Sequence, residues 1–207
     1  MSELEGVIKY RLDYEQSEAV TENLDYLNTW RSILHGLGLI GQESSRYEGY
    51  GFGNLSQRSQ LDKSQFIISG TQTGNHKVLG KSDYVCVKYC DVEKNYVIAS
   101  GPVKPSSEAL THSMFYRLES SIQCVMHVHS PGLWKFGLDN DYPVTDKSVE
   151  YGTQDMATEI SRLYKSGSLN QTRTLVMAGH EDGVICFGDS VDQAGLGLVD
   201  LWVKAHL

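Results

Sequence analysis

The sequence predicts an α/β domain, with helices packed on the faces of a sheet of six or more strands. Three observations carry that expectation. Segments of helical period alternate along the chain with short apolar runs bounded by turn residues. One such run, Cys124-Val125-Met126-His127-Val128-His129, reads as a buried strand. No repeat, low-complexity tract or long linker interrupts the 207 residues, so residues 1–207 are expected to form one domain with a substantial core.

Hydrophobic residues make up 40% and charged residues 21%, ordinary values for a globular chain. The apolar runs are too short to cross a bilayer, and Met1-Ser2-Glu3-Leu4-Glu5 lacks the start of a signal peptide. A cytoplasmic location is therefore expected. The net charge of -8 argues against nucleic acid as a partner, because nonspecific binding needs a basic surface. It is compatible with a small anionic substrate in a local pocket. Cys86, Cys90, Cys124 and Cys186 form no C-x-x-C pair and lie in or beside strand-like stretches, so buried, reduced thiols are expected.

Residues 1–16 show no clear period and are expected to form a loose arm or a first helical turn. A helix is expected over 17–39, where Leu24, Leu27, Trp30, Leu34 and Leu37 form an apolar stripe that Gly36, Gly38 and Gly41 end. Tyr47 to Ser56 is glycine-rich and reads as a loop that can approach a ligand closely. Strands are expected at 65–69, 84–89 and 96–100, the last two joined by a turn over 91–95. After Pro102 and Pro105 a helix should run from Ser106 to about Ser120. Ser130-Pro131 should end the histidine strand, since Pro supplies no N–H to a ladder. A polar loop over 139–150 leads to a helix capped by Thr153, with Met156, Ile160, Leu163 and Tyr164 inward. Strands at 174–178 and 184–187 follow. Ser190-Val191-Asp192-Gln193 fits a capping box that opens a terminal helix with Ala194, Leu198, Leu201 and Trp202 inward.

Strand side chains alternate between faces, so His127 and His129 point the same way while Cys124 faces away from them. Two imidazoles side by side in a core are explained by a divalent metal, with zinc the usual candidate, or by a hydrogen-bonded structural pair. His180, flanked by Gly179 and Gly183 beyond another strand end, is a third candidate ligand or an ordinary loop histidine. His35, His76, His112 and His206 read as surface or structural. Ser106-Ser107-Glu108 opens a helix, whose first N–H groups suit a phosphate or a simple serine cap. Gly53-Asn54-Leu55-Ser56 and Thr71-Gln72-Thr73-Gly74 read as ligand-facing loops or as turns.

In this order, Gly-Asn-Leu-Ser, Ser-Gly-Thr-Gln-Thr-Gly, Pro-Ser-Ser-Glu, His-Val-His-Ser-Pro and Gly-His-Glu-Asp-Gly resemble the class II aldolase/adducin family, from about residue 17 onward. The resemblance implies a three-layer α/β/α sandwich on a mixed, largely antiparallel sheet. It also implies a homotetramer with sites between subunits. It makes His127, His129 and His180 ligands of Zn2+ or another divalent metal such as Mn2+, Co2+ or Fe2+. Glu108 matches the family's catalytic carboxylate, and Asn54, Thr73, Gly74, Ser106 and Ser107 match positions that bind the substrate phosphate. The implied activity is lyase cleavage of a small ketose phosphate or related hydroxy-carbonyl compound through an enediolate, in carbohydrate metabolism. Glu108 favours this over pentulose-phosphate 4-epimerisation, where the family carries Asp. A non-enzymatic, adducin-like assembly role is the third implication.

Two departures stand out. Glu181-Asp182 precede the glycine that usually follows the third histidine directly. The segment between His129 and Tyr151 is short, and its one tyrosine, Tyr142, has no clear counterpart to the family's proton-donating tyrosine.

Overall fold

The computed structural model describes residues 6–207. In chain order the elements are β1 (Arg11–Gln16), α1 (Asp25–Gly36), β2 (Gly41–Gln42), β3 (Gly51–Phe52), β4 (Asn54–Arg58), β5 (Phe66–Ser69), β6 (Tyr84–Asp91) and β7 (Tyr96–Gly101). There follow α2 (Ala109–Leu118), β8 (Cys124–His129), α3 (Pro131–Asp139), α4 (Gln154–Lys165), α5 (Leu169–Thr172), β9 (Thr174–Val176), β10 (Gly183–Gly188) and α6 (Val191–Ala205). Eight strands form one sheet in the order β1-β7-β6-β5-β4-β8-β10-β9, and β2 and β3 pair separately. Only the edge pair β1–β7 is parallel; the other neighbours run antiparallel. This is the mixed, largely antiparallel α/β/α arrangement expected from the motifs.

Each face of the sheet carries its own core. One packs Val125, Ile185 and Phe187 against Leu110 and Phe115 of α2 and Met156 and Ile160 of α4. The other packs Cys124, Met126, Val128 and Val184 against Leu27 and Leu34 of α1, Leu133 of α3 and Leu198 and Leu201 of α6. Apolar residues on both faces of β8 and β10 explain their near-continuous hydrophobic runs. His127 and His129 share the parity of Val125, so they face the α2 side, and Cys124 faces away as expected. All four cysteines are free; Cys124 and Cys186 are buried, Cys86 and Cys90 only partly.

The termini of the helices follow local chemistry. Thr153 Oγ1 accepts from Met156 N and Ser190 Oγ from Gln193 N. The second half of the expected capping box is displaced by one residue, because Gln193 Oε1 accepts from Asp189 N.

Three expectations need correction and a fourth needs extending. The arm over 1–16 is not loose across its described part: residues 11–16 form β1, whose ladder partner β7 is far along the chain; residues 1–5 lie outside the described residues. The helix expected from residue 17 begins only at Asp25. Glu22 is drawn away by Ser59 Oγ and Gln60 N, each at 2.6 Å, and Asn23 Oδ1 accepts from Asp25 N. The loop assigned to 47–56 contains β3 and the start of β4, because Asn54 to Arg58 are buried between β5 and β8. Ser130-Pro131 ends β8 but also starts α3: Ser130 Oγ accepts from Leu133 N, and Pro131 stands at the first helical position, where a missing N–H costs nothing.

The N-terminal segment is tied down at Tyr10, which is buried and donates its hydroxyl to Ser106 O at 2.7 Å. Ser106 O also accepts from Ala109 N, so it keeps one bond without the hydroxyl. Tyr10→Phe is therefore expected to cost about 1 kcal/mol in urea unfolding. No measurable loss would mean that the segment is not docked in solution.

Candidate metal centre

Two antiparallel ladders converge on the histidines. Across β8–β10, His127 stands opposite Ile185 and His129 opposite Gly183; across β4–β8, Asn54 stands opposite His127. The chain between β9 and β10 turns tightly, with His180 N donating to Met177 O and Gly183 N to His180 O. A Cβ on Gly183 would lie 2.8 Å from His180 Cδ2 and 3.3 Å from His127 Cε1, so only glycine lets the two rings approach there.

Among the described residues, one group of three potential metal-binding side chains emerges: His127, His129 and His180, with one ligand atom from each within 4.8 Å of the others. His127 Nε2 and His129 Nε2 are 2.9 Å apart. Nitrogens around a tetrahedral zinc ion stand about 3.3 Å apart, so the cluster has the right dimensions. All three residues are buried. Burial, then the neighbouring His180, holds both His127 and His129 well below the ordinary imidazole pKa; Arg46 adds to the effect at His129. His127 Nδ1 lies 3.2 Å from Val184 O, an atom that can only accept. Nδ1 therefore carries the proton, and the Nε2 lone pair faces the cluster. A neutral ring with its lone pair turned inward fits a divalent ion.

Glu108 sits one residue before α2 rather than within its first turn. It is fully buried, with Oε1 3.8 Å from His180 Nε2. The five residues matched to phosphate binding, Asn54, Thr73, Gly74, Ser106 and Ser107, line one pocket together with Gly6, Gly51, Gly53, Gly70, Thr71 and Gln72. Its volume of about 20 Å³ admits roughly one water. Backbones meet closely here: a Cβ on Gly74 would fall 2.1 Å from Gly41 O. Thr73 is fixed by its hydroxyl on Gly70 O and by buried Arg31 donating to its carbonyl at 2.9 Å. Asn54 Oδ1 is buried with no hydrogen-bond partner among the described residues.

The sequence reading missed three neighbours. Tyr151 stacks on His180 with centroids 4.4 Å apart, and its hydroxyl receives Val7 N at 3.1 Å. Tyr47 meets His129 edge to face. His112 is fully buried, its Nδ1 2.7 Å from Ser56 Oγ, which also meets Tyr116 OH; it is structural, but far from the surface. Tyr47 and Tyr151 carried no periodic or motif signal. His112 lies four residues after Glu108, a same-face spacing that could have flagged it.

Three buried imidazoles converge beside a buried carboxylate at the ends of central strands, a donor set that fits a divalent ion. Residues 43–201 match the family model described as class II aldolase and adducin N-terminal domain. The chain belongs to that family, whose enzymes are metal-dependent lyases. A methylthioribulose-1-phosphate dehydratase of Leptospira biflexa serovar Patoc is 29% identical over 170 residues, covering 69% of this chain and 78% of that protein. An L-fuculose 1-phosphate aldolase superposes with a TM-score of 0.66 at 18% identity, covering 91% of this chain and 85% of that one. A sugar-phosphate aldolase from Thermotoga maritima gives 0.64 at 14% identity, covering 87% and 90%. These two structures share the fold. No helix among the described residues is long and apolar enough to cross a membrane.

Burial of His112, His127 and His129 makes the metal-free protein acid-sensitive. His112 is pushed down to about 3, and the other two lie well below the ordinary imidazole value. Below about pH 6.5 the unfolded chain binds protons that the folded chain refuses, so stability falls as pH falls. For His112 alone the loss between pH 7 and 5.5 is about 1 kcal/mol, and burial of His127 and His129 acts in the same direction. Urea unfolding of chelator-treated protein at the two pH values checks this; no measurable loss would contradict it.

Proposed function

We propose that the chain is a metal-dependent lyase acting on a small hydroxy-carbonyl compound, specifically a ketose 1-phosphate. The observation that carries the proposal is the convergence of His127, His129 and His180 beside buried Glu108, next to the pocket lined by Asn54, Thr73, Gly74, Ser106 and Ser107. The three histidines would hold one divalent ion, most consistently zinc given an all-imidazole donor set. Bound there, it would act as a Lewis acid on a substrate carbonyl and the adjacent hydroxyl.

The remaining roles belong to the chain. Ser106, Ser107 and the backbone at Thr73 and Gly74 bind the phosphate, and Asn54 Oδ1 accepts from a substrate hydroxyl. Glu108 is the general acid/base. Seating a phosphate requires the pocket to widen, with Gly6 and Gln72 the lining residues on its N-terminal side. The desolvation cost of burying three imidazoles is unnecessary in a module that only assembles with partners, which disfavours the adducin-like alternative.

Carbon–carbon cleavage is the first reading. In it Glu108 takes the hydroxyl proton from the carbon that departs as an aldehyde, the carbon–carbon bond breaks, and Glu108 returns the proton to the carbon left behind. Elimination of water is a second reading, supported by the dehydratase relative and by one observation of the site. The hydroxyls of both flanking tyrosines are engaged within the chain, Tyr47 with Asp182 and Tyr151 with Val7. Elimination then needs only Glu108, which takes a proton from carbon and returns it to the departing hydroxyl. Epimerisation is the remaining alternative. The homotetramer with shared sites and a role in carbohydrate metabolism belong to the same proposal.

Purified protein assayed with ketose 1-phosphates should release dihydroxyacetone phosphate or lose water to give a dicarbonyl product. Epimerisation of pentulose 5-phosphates without either product would overturn the lyase reading. Wild-type protein should carry about one divalent ion per chain, and His127→Ala/His129→Ala should carry none; full occupancy in that variant would exclude these ligands. Glu108→Gln should retain the ion and lose about 10²–10⁴-fold in kcat. Normal turnover by Glu108→Gln would end the acid/base assignment.

A further inference from the structure

We infer that Tyr47, braced by Asp182 and Arg46, is a positioning residue that fixes the plane of the His129 imidazole for metal binding. The inference rests on the reading of His129 as a ligand. An imidazole on a strand can rotate about its Cβ–Cγ bond, and a ligand needs its lone pair aimed in one direction. His127 is oriented by Val184 O. His129 is held by aromatic contact: the Tyr47 ring lies 4.9 Å from it at 74°, and Phe52 lies 5.9 Å away at 51°. Tyr47 and Phe52 also meet each other edge to face at 5.1 Å.

Tyr47 is itself clamped. Its hydroxyl donates to Asp182 Oδ2 at 2.7 Å and receives Arg46 Nη2 at 2.9 Å. Arg46 Nη2 also lies 3.3 Å from His129 O, and its guanidinium covers the Phe52 ring at 4.4 Å. Asp182 returns to the same strand end, where its carbonyl accepts from Ser130 N. The brace therefore joins the loop before β3 to the β9–β10 turn that carries His180, and it passes over His129. Asp182 is one of the two acidic residues that depart from the family pattern after the third histidine, and this contact gives it a task.

The backbone at both ends of the bond is unusual. Tyr47 and Glu48 have φ of 48° and 56°, and Asp182 has φ of 64°. Non-glycine side chains avoid this region, and such conformations persist where the surroundings over-determine them. Tyr47 does not serve as a proton donor in this arrangement. Its hydroxyl is committed to a carboxylate, and burial first, then that hydrogen bond, drives its pKa well up.

The test compares wild type with Tyr47→Phe, Tyr47→Ala, Asp182→Asn and the Tyr47→Phe/Asp182→Asn double variant. Zinc affinity is measured by competition with a chromophoric chelator. The visible spectrum of the cobalt-loaded protein reports ligand geometry, and the Tm of metal-free protein reports folding. Tyr47→Ala should bind zinc about 10-fold or more weakly and shift the cobalt bands. Tyr47→Phe and Asp182→Asn should each lose less, and the double variant no more than Tyr47→Phe alone, because Asp182→Asn only weakens a bond that Tyr47→Phe removes. Wild-type affinity and an unchanged cobalt spectrum in Tyr47→Ala would overturn the inference while leaving the metal site standing. If Tyr47→Ala does not fold, unchanged affinity and spectrum in both Tyr47→Phe and Asp182→Asn would overturn it. A wild-type chain that binds neither metal would overturn the site reading itself, and this inference with it.

Discussion

The site depends on the register of β8 against β10. With His129 opposite Gly183, the turn that precedes β10 brings His180 over the two strand histidines. A slip of one residue would turn His127 and His129 toward α1 and α6 and put Val128 in their place. The register is fixed because both faces are buried: Val125, Ile185 and Phe187 fill one core, and Met126, Val128 and Val184 the other. Gly183 then becomes a steric requirement, since any side chain there would meet two of the three rings.

That placement has an electrostatic consequence. His127 and His129 are deprived of water by the same packing that fixes the register, so they stay neutral where exposed imidazoles would begin to charge. A neutral ring whose Nδ1 proton is taken by a carbonyl offers its Nε2 lone pair to the cluster. Structure and chemistry thus draw on one cause: burial costs stability in the metal-free chain and creates affinity for an ion.

Much of this was legible in the sequence. Period two placed His127 and His129 on one face, Thr153 announced α4, and the ordered motifs pointed to residues that the fold does gather. β1 has no independent local signal; it is a strand because β7 offers an edge, and that partner lies some 85 positions away. Local signals were also present and misread. Ser130-Pro131 carried a helix start as well as a strand end. Asn54 to Arg58 lack apolar alternation because Asn54, Ser56 and Arg58 are buried polar residues with structural or ligand-facing tasks. Arg58, for example, donates to the carbonyls of Ile122, Lys63, Tyr116 and Glu119. The Tyr47–Asp182 contact spans 135 residues and no periodicity could reveal it.

The central claim is that three imidazoles, two from β8 and one from the β9–β10 turn, share one ion. X-ray absorption at the zinc edge of protein loaded with one equivalent tests it most directly. The account predicts a shell of light atoms with about three imidazole nitrogens at about 2.0–2.1 Å, the outer-ring scattering of imidazole, and no sulfur. A sulfur shell at about 2.3 Å, or scattering from a single imidazole only, would contradict it.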